Sequence, residues 1–252
     1  FIQPGDMEGS PALTFAPMSE PKPASKISSK SLYAEMERRF EHYKAKVIAP
    51  FFRNHFSRLD RQIVLADILG AANAGLESVE ELEKALAQVQ STMRPGSSSW
   101  IGNLLFGRRI DHILFAATKS DHLASDQHQS LTSLLQGMTL NTSNQAAFKG
   151  ANVSFLALSA LRATTEVTID EGKTSYRCLK GKLVGQSKEE AVYTGKLPSD
   201  LNTLKRQLKD QDSSAFAFHK FQPPAEVVES NLGLANIRMD KALEFLLGDL
   251  LK

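Results

Sequence analysis

The chain has 252 residues, 42% hydrophobic and 23% charged, a composition that excludes disordered and fibrous classes. Its 30 basic and 28 acidic side chains leave a net charge of +2, so no global field argues for nucleic acid or an anionic membrane as partner. A single cysteine, Cys178, rules out an internal disulfide, and no apolar run approaches the roughly 18–20 residues that span a bilayer, so a cytoplasmic protein is expected.

Residues 1–29 offer a short strand candidate at 12–15 and a polar linker at 19–25. The opening Phe1-Ile2-Gln3-Pro4-Gly5 reads as mid-protein sequence, and the chain is expected to be a fragment. Residues 30–58 form a helical segment: Leu32, Met36, Phe40, Tyr43, Val47 and Phe51 recur at helical spacing, with a break expected at Pro50. Lys30, Arg38, Arg39, Lys44, Lys46, Arg53 and Arg58 outnumber Glu35, Glu37 and Glu41 there, which reads first as a solvated face and second as a surface for lipid or a partner.

Residues 59–163 alternate strand and helix. The apolar runs 63–66, 113–117 and 153–158 are of the sort that fill buried parallel strands. Helices are expected from Ser78, where Ser78-Val79-Glu80-Glu81 is a capping box, and over 125–137, with a loop at 95–99 ahead of an apolar stretch, 100–106. This alternation predicts an α/β core with a parallel sheet. Residues 164–222 change pattern: short strands at 167–169, 174–179 and 191–193 predict a small antiparallel β insertion, followed by a helix at 201–208 and a strand at 216–221. Residues 223–252 close with an amphipathic helix, 240–251, built on Ala242, Phe245, Leu246 and Leu250 and expected to dock on the main sheet.

Three strand ends carry the chemistry. Thr118-Lys119-Ser120-Asp121 follows strand 113–117, and in GTPases a [N/T]-K-x-D sequence stands at the carboxyl end of a parallel strand, where open α/β sheets bind ligands. Asp121 would accept hydrogen bonds from the ring N–H and the exocyclic amine of guanine. Lys119 would lay its aliphatic stem along the purine, and Thr118 would brace the loop. Alone, the tetrapeptide is equally a helix start capped by Asp121. At the next strand end, Ser159-Ala160-Leu161 has the small-residue form whose backbone amides face the guanine carbonyl oxygen.

Upstream, Asp67-Ile68-Leu69-Gly70 closes strand 63–66. Asp67 would hold Mg²⁺ through a water and the Gly70 amide would sense a γ-phosphate; the competing assignment makes Asp67 a helix N-cap. In the order D-x-x-G, T-K-x-D, S-A, each motif predicts where the others should stand, and GTP or GDP with Mg²⁺ is the expected ligand. No G-x-x-x-x-G-K-[S/T] occurs: Gly172-Lys173-Thr174 has Val167 where the first glycine belongs, and Gly195-Lys196 is followed by Leu197. The phosphate grip is therefore expected from a Walker A segment outside this sequence, and the chain alone is expected to be inactive. Ala71 stands where Ras-like enzymes place a water-orienting glutamine, which implies slow or assisted hydrolysis. The six histidines form no metal-ligand pair.

Three blocks carry a family resemblance: Arg53-Asn54-His55-Phe56-Ser57-Arg58-Leu59-Asp60-Arg61-Gln62-Ile63-Val64-Leu65-Ala66-Asp67, Arg109-Ile110-Asp111-His112-Ile113-Leu114-Phe115-Ala116-Ala117-Thr118-Lys119-Ser120-Asp121-His122, and Asn236-Ile237-Arg238-Met239-Asp240-Lys241-Ala242-Leu243-Glu244-Phe245-Leu246-Leu247-Gly248-Asp249. The sequence resembles, along its whole length, the YcjX-like family of bacterial P-loop GTPases. The resemblance implies a P-loop NTPase-type, mostly parallel sheet with helices on both faces, incomplete here, and an upstream Walker A region. It also implies a cytosolic protein associated with stress responses, acting through an effector it does not name. Asp67, Thr118, Lys119 and Asp121 match the family pattern. Two other functions compete: a P-loop ATPase in which Thr118-Lys119-Ser120-Asp121 is incidental, and a non-enzymatic scaffold that uses the basic helix and the β insertion to bind a partner or a membrane.

Overall fold

A computed structural model describes residues 14–16, 18, 19, 28–54, 59–92, 110–148, 150–210, 217–224 and 234–251. Residues 20–25 of the expected linker 19–25, the loop 95–99 and the stretch 100–106 lie outside these residues, as do residues 12 and 13 of the first strand candidate and 55–58 of the expected helical segment. Described residues up to Leu59 belong to one compact unit and those from Asp60 onward to a second.

In the first unit, the Ser31 hydroxyl accepts the Ala34 N–H and caps α1 (Leu32–Tyr43). The expected break takes the form of a π-helical turn, Lys44–Ile48, placed before α2 (Ala49–Asn54). Pro50 has no N–H to return to the preceding turn, and the Ala49 N–H reaches five residues back to the Lys44 carbonyl. Phe15 packs against Phe40 and Tyr43, with ring centroids 5.2 and 5.4 Å apart.

The second unit is built on three parallel strands, β1 (Arg61–Ala66), β2 (His112–Ala117) and β3 (Asn152–Ala157), in the order β1-β2-β3. Ala66, Ala117 and Ala157 are in register, so all three chains leave the sheet at one edge. The central strand β2 is the apolar one, with residues 113–117 fully buried, and Phe115 stacks on Phe155 at 5.3 Å.

One face of the sheet is covered by α3 (Ile68–Ala74), α4 (Leu76–Thr92) and α5 (His128–Phe148), whose Leu131, Leu134, Leu135 and Met138 are buried in the main core. Gly75, at φ 107°, ends α3, and its carbonyl accepts the Val79 N–H. That bond already closes the first turn of α4, so Ser78 lies inside the helix and the expected capping box is not its start. Two 3₁₀ turns, Ser120–His122 and Ser125–Gln127, precede α5, which runs on past the expected stop at Gly137. Gly137 faces Leu201 at the start of α6 (Leu201–Lys209), where an added Cβ would lie 3.4 Å from the Leu201 side chain, an ordinary contact distance.

The other face is covered by α7 (Met239–Leu247). Its Ala242 is buried with Leu114, Ala116 and Leu158, and Met239, Phe245 and Leu246 pack around them. The antiparallel insertion is present as β4 (Thr165–Glu171), β5 (Thr174–Lys182) and β6 (Glu189–Val192), in that order. The strand expected at 216–221 is not formed over 217–221. Phe221 makes one isolated bridge, to Leu183, and both backbone groups of Phe218 are satisfied by the Asn73 amide, its N–H at 3.2 Å and its carbonyl at 2.5 Å. A side chain thus does the work of a strand partner.

Candidate functional site

The carboxyl edge of the parallel sheet holds a cleft of about 430 Å³, lined among others by Thr118, Lys119, Asp121, Ser159, Ala160 and Leu161. Two loops build it. After β2, the Thr118 N–H and hydroxyl both point to the Ala66 carbonyl, at 2.9 and 3.3 Å, which braces the loop against β1. Lys119 then takes a left-handed conformation, φ 59° and ψ 34°, and the Ser120 N–H donates to the Leu158 carbonyl at 3.2 Å. A non-glycine residue holds such a conformation only where its surroundings fix it. The consequence is an inward-facing Asp121.

Asp121 is 4% exposed. Its Oδ1 accepts the Ser159 hydroxyl at 2.6 Å, its Oδ2 accepts the Ala163 N–H at 2.9 Å, and its main-chain carbonyl accepts the Thr164 hydroxyl. The Ser159 hydroxyl has one proton and a second acceptor in range, the Leu161 carbonyl at 2.8 Å. The ionised acceptor at the shorter distance makes the stronger bond. Each carboxylate oxygen can accept two hydrogen bonds, so each keeps one acceptor site beyond those formed. The Ser159 amide donates to the Ile237 carbonyl at 3.1 Å, whereas the Ala160 and Leu161 amides have no partner among the described residues.

Asp67 and Gly70 are not among the residues lining this cleft. Asp67 Oδ1 accepts the Gly70 N–H at 2.9 Å and caps α3, while Oδ2 is ion-paired with Lys119 Nζ. A Cβ on Gly70 would stand 2.7 Å from Asp67 Oδ2, so a side chain there would displace the Asp67 carboxylate from its present position. No group of three His, Cys, Asp or Glu that could hold a metal occurs among the described residues. The ammonium at Asp67 Oδ2 disfavours direct contact with a divalent cation, while each Asp67 oxygen keeps one acceptor site to which a metal-bound water could donate. Lys119 lines the cleft with its head group held at Asp67, two strand ends apart by one sheet spacing of about 4.8 Å.

Several cleft residues were not anticipated from the sequence: His122, Leu158, Ala163, Phe221, Pro223 and Met239, with Ile63 and Leu65 from the outer face of β1. His122 directly follows Asp121, and adjacency to the motif was its one available signal. Its Nε2 lies 3.8 Å from Asp121 Oδ2 and its ring meets Phe221 edge-on at 5.3 Å. Burial, more than the opposing pull of Asp121, lowers its pKa from 6.5, so the imidazole is neutral at pH 7. Phe221 and Met239 arrive from far downstream, where no local pattern connects them to a ligand.

A parallel sheet flanked by helices on both faces, with a cleft at the carboxyl ends of its strands, is an α/β architecture of P-loop NTPase type. More particularly, the chain belongs to the YcjX-like family, DUF463, whose profile matches residues 1–251. It is 36% identical over 260 residues to the Ras-like GTPase YcjX of Escherichia coli, a match covering all of this chain and 54% of that protein. It is 35% identical over 264 residues to the Ras-like GTPase YcjX of Shewanella oneidensis, covering all of this chain and 52% of the relative. The chain thus spans about half the length of these relatives.

Proposed function

We propose that this chain forms the guanine-recognition part of a GTP-binding and GTP-hydrolysing protein. The observation that carries this reading is the state of Asp121: a buried carboxylate at a strand end, oriented by Ser159 and Ala163, with acceptor capacity left over. Guanine presents two adjacent donors, the ring N–H and the exocyclic amine. Adenine presents an acceptor at the equivalent ring position and no amine beside it, so a carboxylate that only accepts rejects it. The Ala160 and Leu161 amides would meet the guanine carbonyl oxygen, and the Lys119 stem would cover a face of the purine while its ammonium stays at Asp67. The names of the two relatives support the same class of ligand.

The triphosphate and its Mg²⁺ enter this reading through sequence outside the chain, since Mg²⁺ is held largely by phosphate oxygens and water with one or two carboxylates. The Mg²⁺ role expected of Asp67, through a water, would use the acceptor sites its oxygens keep beyond Gly70 and Lys119. A cytoplasmic switch in a stress response is the setting the resemblance implies, and no helix among the described residues is long and apolar enough to cross a membrane. The test is competition in the intact protein: GDP displaces a fluorescent guanine nucleotide, ADP does not, and Asp121→Asn shifts preference toward xanthosine diphosphate. Equal competition by ADP sinks the guanine reading in favour of an ATPase. Absence of any nucleotide binding favours a scaffold.

A further inference from the structure

A buried imidazole stands behind the two loops of the cleft. His128, 4% exposed at the start of α5, has Nε2 2.7 Å from the Ser120 carbonyl and 3.3 Å from the Leu123 carbonyl. Both are acceptors, so Nε2 carries the proton. Nδ1 is then free to accept, and Arg238 Nη1 lies 3.1 Å from it. The same Nη1 donates to the Ala157 carbonyl at 3.0 Å. One guanidinium nitrogen therefore joins the last residue of β3, two before Ser159, to the imidazole that holds the Ser120 carbonyl, one before Asp121.

The segment carrying Arg238 is itself bound to the cleft. Ile237 exchanges both backbone hydrogen bonds with Ser159, at 3.1 and 2.8 Å, and the Ala235 carbonyl accepts the Arg162 N–H at 2.7 Å. Arg238 adopts a left-handed backbone, φ 57° and ψ 24°, as unusual for arginine as the same conformation is for Lys119. Met239, next in the chain, lines the cleft.

We propose that Arg238 and His128 are positioning residues for the base: as a latch they fix the Asp121 loop against the Ser159 loop, so that the segment 235–239 sets guanine affinity. This rests on the guanine reading. A neutral imidazole is required, because a protonated Nδ1 would turn a second donor toward the guanidinium. The charged groups facing His128 are Arg238 and, opposing it, Glu166; burial first and Arg238 second lower the pKa from 6.5. The latch is closed at pH 7, and acid opens it.

The experiment measures binding and release of a fluorescent GDP, together with single-turnover hydrolysis of bound GTP, in the intact protein. Arg238→Met and His128→Leu are expected to weaken GDP roughly 10-fold, chiefly through faster release, with hydrolysis of bound GTP unchanged. His128→Gln, whose amide supplies one donor and one acceptor, is expected to restore near wild-type affinity at pH 7. It also removes a loss of affinity that the wild type shows on acidification below pH 6.5, as His128 protonates. Wild-type affinity in Arg238→Met overturns the latch, and so does a His128→Gln as weak as His128→Leu. If Arg238→Met does not fold, the pH comparison decides alone: identical acid profiles for wild type and His128→Gln overturn it. Failure of the wild type to bind GDP at all sinks the guanine reading, and that measurement precedes the others.

Discussion

Asp67 and Asp121 stand at the carboxyl ends of adjacent parallel strands, and each has the same mundane alternative in sequence, a helix N-cap. The structure separates them. Asp67, with a side chain 38% exposed, caps α3 through Gly70 and is paired with Lys119, so the mundane assignment is realised there. Asp121, 4% exposed, caps nothing: its oxygens are held by Ser159 and Ala163 from 38 and 42 residues downstream. Local hydrogen bonds to the next turn make a cap, whereas donors imported from another loop make an oriented acceptor. What surrounds a carboxylate, rather than its motif, distinguishes the two.

The largest effect is expected at Asp121. Asp121→Ala removes a bidentate contact to a base edge, worth about 1–3 kcal/mol, and leaves the Ala163 N–H without its acceptor at roughly similar cost, while the Ser159 hydroxyl turns to the Leu161 carbonyl. Guanine affinity should fall by well over about 10-fold, read by competition titration. Ser159→Ala comes next. It deletes one hydrogen bond to a buried ionised group, about 1.5–3 kcal/mol, while the Ala163 N–H remains. A loss near 10-fold in affinity with hydrolysis of bound GTP intact would match a purely orienting hydroxyl. No change would mean that the Ser159 proton goes to the Leu161 carbonyl and would break the contrast with Asp67.

Asp67→Ala sharpens the comparison from the other side. Loss of the cap costs about 1 kcal/mol, a fall in Tm of roughly 2–4 °C, and loss of an ion pair this exposed adds about 0–1 kcal/mol. GDP affinity should drop only a few-fold through a freed Lys119, and turnover per bound GTP should persist. Abolished turnover with unchanged affinity would instead place Asp67 at the metal.

The parallel core was legible because buried strands leave continuous apolar runs: the expected 63–66, 113–117 and 153–158 fall within about a residue or two of β1, β2 and β3. The cleft residues at the ends of β2 and β3 were legible for the same reason, since a strand end names the loop that follows. The latch was not. Arg238 and His128 are 110 residues apart and Arg238 and Ala157 81 apart, and no periodicity encodes a contact at that separation. The misread strand near Phe218 failed for a related reason: its backbone partner is the side chain of Asn73, 145 residues upstream. Ser78 misled because Gly75 had already turned the chain, and a φ of 107° outweighs a capping signature.

The smallest effect concerns a carboxylate that does not line the cleft at Asp121. Asp249, just past α7, accepts from Arg61 Nη1 and Nη2, at 2.5 and 2.8 Å, at the opposite end of β1 from Asp67. That guanidinium holds the Asp249 carboxyl at about 2, below its ordinary 3.8. Because the folded value is the lower one, the pair's contribution is fully present above about pH 4 and is lost as pH falls toward 2. Asp249 is exposed, so solvent screens the pair and the contribution is small. Melting curves of wild type and Asp249→Asn should differ slightly at pH 7 and converge on acidification, with guanine affinity equal throughout. If Asp249→Asn also altered affinity, an ion pair remote from the cleft would be coupled to it, and the modest loss expected of Asp67→Ala could no longer be credited to Lys119.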